Sequence, residues 1–173
     1  GPRDQNAGVF EVVSAIYRYL AKISEEEDLD QHFTAGGMLA NEAWVWHGSG
    51  FTTPDKIAFT SAVPRGYDLA PYLYTVPSGV QQYESLLTGL GVPQGFTIQD
   101  YVKVLATIKE SLGAKPLGEK DLTVVQHVIK AILTFDDLQP VQGEILVPDS
   151  DSVLCLTEDL IYSDEPECFS EFT

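Results

Sequence analysis

A chain of 173 residues, 44% of them hydrophobic, is long enough to bury one good core, so a single compact domain is the default expectation and two small lobes the alternative. Its 26 acidic residues against 10 basic give a formal net charge of -16, a field that repels nucleic-acid phosphates and anionic lipid and sets both aside as partners. No apolar run approaches the roughly 20 residues of a spanning helix, and the N-terminus lacks the basic and apolar regions of a signal peptide, so no membrane insertion is expected. Cys155 and Cys168 are the only cysteines, which favours a reducing compartment while leaving one disulfide between them open.

The chain opens Gly-Pro, and its one Met is at 38. That start reads as the scar of a protease cleavage, with residues 1–8 a flexible lead-in and the whole a piece of a longer protein. Residues 9–23 place Phe10, Val13, Tyr17 and Leu20 at helical spacing, with Val9, Val12, Ile16 and Ile23 widening the apolar stripe. Ser24 and the acidic run Glu25 to Asp30 open a second helix or form a solvated linker, and Gly36-Gly37 break what precedes them.

From Glu42 to Phe59 the chain packs a strand, a glycine turn and a capped turn into a short span. Trp44 and Trp46, two apart, point to one face of a strand, and that face is expected to be buried. Gly48-Ser49-Gly50 supplies the positive-φ residues of a hairpin loop, leading into Phe51. Thr53 reads as an N-cap with Pro54 at the first helical position and Asp55 behind it, before Ile57 to Phe59 extend again. Residues 60–77, rich in proline, read as a loop with an extended segment at Tyr72-Leu73-Tyr74. Tyr67, Tyr72 and Tyr74 there either present aromatic area to a partner or pin the loop to the body.

Three helices follow. Ser78 with Gln81 makes a capping box for the first, whose stripe is Val80, Tyr83, Leu87 and Leu90 and whose end is Gly91 before Pro93. Thr97 with Asp100 starts the second, which runs through Tyr101, Leu105, Ile108 and Leu112 to Gly113. The third begins near Gly118 and is apolar on two sides, Leu122, Val125, Ile129, Ile132 and Val124, Val128, Ala131, Phe135, as a helix covered on more than one face would be. Glu144 to Pro148 and Val153 to Leu156 then make two strands around a polar turn. The stretch from Cys155 to Ile161 echoes Phe51 to Ile57, through generic hairpin grammar or through tandem units. The expected fold is α+β: an N-terminal helix, a β-hairpin, a three-helix segment and a C-terminal β-hairpin, the two hairpins joined in one antiparallel sheet.

Catalytic signatures fail on spacing. His32, His47 and His127 share no metal-type spacing with one another or with the cysteines. Asp149 and Asp151 begin like a calcium loop, but Val153 and Leu154 occupy its third ligand and glycine positions, so they read as turn formers. Gly48-Ser49-Gly50 lacks the spacers of a nucleophile elbow and the Lys-Ser/Thr of a phosphate loop. Asp136-Asp137 are adjacent and badly placed to share a substrate. The residues thus point to no catalytic, cofactor or metal site, and the acidic runs read as solvated surface or as a dock for a basic peptide.

The series WHGSGFTTPDKIAF, LAPYLYTVP, YESLLTGLGV, FTIQDYVKVL and ILVPDSDSVLCLTEDLIYSDEP, taken in order, resembles the internal repeats of the sacsin family, giant cytosolic proteins. The resemblance covers nearly the whole chain and rests on Trp46, Gly48, Gly50, Phe51, Pro54 and Gly91 among others. It implies repeats that each open with an Hsp90-like ATP-binding region, in a chaperone-like protein that works with the Hsp70 system on cytoskeletal organisation and intermediate filaments in the cytoplasm of neurons, a setting tied to neurodegeneration. An Hsp90-like site needs an Asp-x-Gly-x-Gly segment and a glycine-rich lid. This sequence has neither, so no ATP-binding residue carries over. The expectation is a non-catalytic module of such a repeat, binding other domains of its parent chain or client proteins. The rivals are an accessory part of an ATPase completed upstream and an acidic adaptor for basic peptides.

Overall fold

A computed structural model describes residues 2–26, 41–63 and 67–157. The elements are α+β in kind. Among the described residues, helix α1 (Pro2–Glu26) is followed by the short strands β1 (Val45–Trp46), β2 (Phe51–Thr52), β3 (Ile57–Ala58) and β4 (Tyr74–Thr75), then by helices α2 (Glu84–Gly89), α3 (Ile98–Leu112) and α4 (Glu119–Ile132), and last by strands β5 (Leu146–Pro148) and β6 (Leu154–Leu156). They form two compact units, one of Gly1–Ser61 with Pro71–Phe96, the other of Ala62–Ala70 with Thr97–Thr173.

In the first unit α1 is longer than its apolar stripe suggests. It starts at Pro2, where a proline's fixed φ and missing N–H suit a first helical turn, so residues 2–8 are helical. It continues through Ser24 to Glu26, so Ser24 does not open a new helix. The segment from Glu27 to Ala40, with His32 and Gly36-Gly37, lies outside the described residues. Helix α1 packs on α2 and on a 3-10 turn at Ser78–Tyr83. Val13, Tyr17, Val45, Trp46, Val80 and Leu87 meet in one core. The approach is close: a Cβ on Gly79 would stand 2.8 Å from the Phe10 ring.

The expected capping box at Ser78 does not form. Pro77 already holds the extended N-cap conformation (φ -62°, ψ 148°), which pushes Ser78 inside the turn, and the Gln81 side chain donates instead to the Val76 carbonyl at 3.3 Å. Gly91 ends the segment as expected, at φ +107°.

The single antiparallel sheet is also corrected. β1 pairs antiparallel with β2, β5 with β6, and each pair is its own two-stranded ladder. β3 turns away from the first hairpin and runs parallel to β4, Ile57 opposite Tyr74 and Ala58 opposite Thr75. Ile57 and Ala58 of β3 are both fully covered, whereas in β4 Tyr74 is half-buried and Thr75 exposed.

In the second unit, α3 and α4 pack together, and α3 also meets β5 and a 3-10 turn at Gln139–Val141. The Thr97 box forms fully: the Thr97 hydroxyl accepts the Asp100 N–H at 3.2 Å while an Asp100 carboxylate oxygen accepts the Thr97 N–H at 2.8 Å. Gly118 is the N-cap of α4. The last hairpin turns on Asp149, whose side chain accepts the Asp151 and Val153 N–H groups at 2.8 and 3.0 Å, so this aspartate is a turn former. Of the stretch that echoes the first hairpin, Glu158 to Ile161 lie outside the described residues, as do Cys168 and the acidic tail.

Candidate functional site

Tyr17 organises the first unit. Its position in the inner row of α1 buries the ring to 3% exposure, and its hydroxyl donates to the Trp44 carbonyl at 2.9 Å and accepts the Trp46 N–H at 3.0 Å. The ring stands edge-on to Trp44 and Tyr83, and Tyr83 in turn donates to the Ser14 carbonyl at 3.2 Å. Burial pushes the Tyr17 phenol above its usual value of 10.0, and the Trp46 N–H, which favours the phenolate, offsets only part of that. One side chain thus fixes where the first hairpin sits on the helix.

The hairpin differs from expectation in three details. Trp46 is buried, while Trp44 lies just before β1 and is half-buried against the same core. Val45 between them is fully buried, which covers both sides of β1. Gly48 takes the left-handed backbone (φ +115°), whereas Gly50 has no positive φ. Space there is tight instead: a Cβ on Gly50 would stand 3.1 Å from His47 Nε2. The His47 ring stacks on Tyr74 at 3.9 Å and 15°. Pro54 is buried at the head of the 3-10 turn.

Beside this hairpin opens an apolar groove of about 950 Å³, with the outer side of α1 (Val9, Val12, Ile16) as one wall and Trp44 with Phe51 as the other. Val9, Val12, Ile16 and Phe51 are all exposed apolar side chains. Phe51, tilted edge-on to Trp46 at 5.3 Å, is 47% exposed. Sequence periodicity takes Val9, Val12 and Ile16 as the margin of a buried stripe. They are in fact a second seam facing outward, and the overlooked signal is their continuation to Tyr19.

The three tyrosines proposed as a contact surface divide between the units. Tyr72 and Tyr74 are half-buried in the first, where Tyr74 is held by His47. Tyr67 is exposed in the second and stands edge-on to His127 at 4.1 Å. Both ring nitrogens of His127 are buried without a hydrogen-bond partner. Among the described residues no group of His, Cys, Asp and Glu side chains gathers as a metal ion would need, and no helix is long and apolar enough to cross a membrane.

Human sacsin is similar to this chain, with 23% identity over 163 residues. That match takes in 90% of the chain and 4% of the human protein, so the chain resembles one short segment of a very long relative. No family model and no solved structure matches.

Proposed function

We propose, from the likeness to a segment of sacsin and from the groove along α1, that the chain is a non-catalytic module that docks protein within a larger chaperone-like molecule. The observation that carries this reading is the outward row Val9, Val12 and Ile16 facing Trp44 and Phe51. Exposed apolar side chains gathered in one groove mark interaction sites more often than chance scatter does. On the relative's model, the parent would act in the cytoplasm beside the Hsp70 system on cytoskeletal clients.

Two measurements test it. Isothermal titration with ATP and Mg²⁺ is expected to give no binding heat, and clear binding would favour the accessory-ATPase reading. A photo-crosslinking residue at Val12 is expected to capture protein in a cell extract, while the same residue at Glu110, on the exposed side of α3, captures none. Equal yields from both positions would remove the groove from the account.

A further inference from the structure

The chain leaves the first unit at Ser61 and rejoins it at Pro71, and the residues between, Ala62–Ala70, belong to the second. Two anchors seat this loop. At one end Val63 is buried, and the Ala62 N–H donates at 2.9 Å to the hydroxyl of Tyr101, a fully buried residue of α3. At the other end Leu69 is 5% exposed, and the Ala70 N–H donates to the Asp68 carboxylate at 2.8 Å.

Tyr67 lies between the anchors and is held differently. Its side chain is 56% exposed, yet the ring stands edge-on to His127 of α4 with centroids 4.1 Å apart. At that distance the rings touch, so Tyr67 is part of what keeps water from the imidazole. Both His127 nitrogens are buried, and neither has a hydrogen-bond partner. Helix α4 supplies none: Val124 and Ala131, a turn away on either side, are apolar, and Thr123 donates its hydroxyl to the Glu119 carbonyl. A neutral imidazole carries one N–H donor and one acceptor nitrogen. Covering it forfeits two bonds to water and replaces neither. The aromatic contact that closes Tyr67 over His127 is thus opposed by the hydration it removes.

We propose that the Tyr67 side chain is a gate over a concealed imidazole: it swings into solvent while Val63 and Leu69 hold the loop in place, and both His127 nitrogens become accessible. Rotamer changes of a half-exposed ring are fast and need no unfolding. Closed, the gate withholds the imidazole; open, it presents one hydrogen-bond donor and one acceptor on the side of α4.

Carbethoxylation of His127 by diethyl pyrocarbonate, read by mass spectrometry on the full chain at neutral pH, tests the gate. The expected result is labelling of the folded chain at a rate that stays flat as urea is raised below the unfolding transition, since the opening exposes little surface. Tyr67→Ala is expected to speed labelling about tenfold with an unchanged circular dichroism spectrum, and Tyr67→Phe, which keeps the ring, to stay within about twofold of the unsubstituted chain. His127→Phe, which removes the unpartnered nitrogens, is expected to raise the folding equilibrium constant about fivefold. Labelling that climbs with urea in step with global unfolding, or a rate indifferent to Tyr67→Ala, would overturn the gate. A His127→Phe chain less stable than the natural one would overturn the account of what opposes its closure. Should a variant fail to fold, the urea dependence of the natural chain decides by itself.

Discussion

Along α4 the rows Leu122, Val125, Ile129, Ile132 and Val124, Val128, Ala131 lie on two sides of the helix, and each of these residues is buried or half-buried. Along α1 the rows Phe10, Val13, Tyr17, Leu20 and Val9, Val12, Ile16, Tyr19 are laid out alike, yet only the first is covered by its own unit. A two-sided apolar pattern therefore says that a helix has two faces to cover, and leaves open whether its own fold covers both. In α4 it does, and in α1 the outer row stays exposed.

The comparison breaks most readily at the shared core. Trp46→Ala removes a ring that sits in one core with Val13 and Tyr17 and is expected to cost ~3–5 kcal/mol in urea unfolding. A near-neutral result would mean that the inner face of α1 is not packed as described. Next come two isoleucines of opposite fate. Ile132→Ala in α4, where the side chain is 1% exposed, is expected to cost ~2–5 kcal/mol. Ile16→Ala, at 50% exposure, is expected to change the stability of the dilute protein by no more than about 0.5 kcal/mol. Similar losses at both would erase the distinction.

Tyr17→Phe keeps the ring but strands the Trp46 N–H in the core, for ~1–3 kcal/mol. The same residue sets a pH dependence. Because the folded-state phenol titrates above the unfolded value of 10.0, its contribution is complete below pH 10. It falls as pH rises through 10 toward the folded value, since the unfolded chain then loses its proton first. Alkaline unfolding curves of Tyr17→Phe are expected to lack that component. The smallest effect is Thr97→Ala, which removes the cap of α3 for about 1 kcal/mol and sharpens the comparison by leaving α1 untouched.

What could be read from the sequence was local. The Thr97 and Asp100 box, the ends at Gly91 and Gly113, and the Asp149 turn each depend on contacts within a few residues, so spacing alone reveals them. The Ser78 box failed because Pro77 took the cap position. The parallel ladder of β3 and β4 was invisible because it joins Ile57 to Tyr74 across a long connection with no turn signal. Of the site, Trp46 and the Gly48 turn were legible. The groove was not, since exposure of Val9, Val12 and Ile16 depends on which face Tyr17 anchors.

The most direct test of the account is the urea midpoint of Ile16→Glu set beside that of Val13→Glu. An α1 with one covered and one exposed apolar row predicts that Ile16→Glu, at a position 50% exposed, keeps the midpoint of the unsubstituted chain, while Val13→Glu, at a position 3% exposed, costs ~3 kcal/mol or more by burying a charge. Equal losses at both positions, or a neutral Val13→Glu, would contradict it.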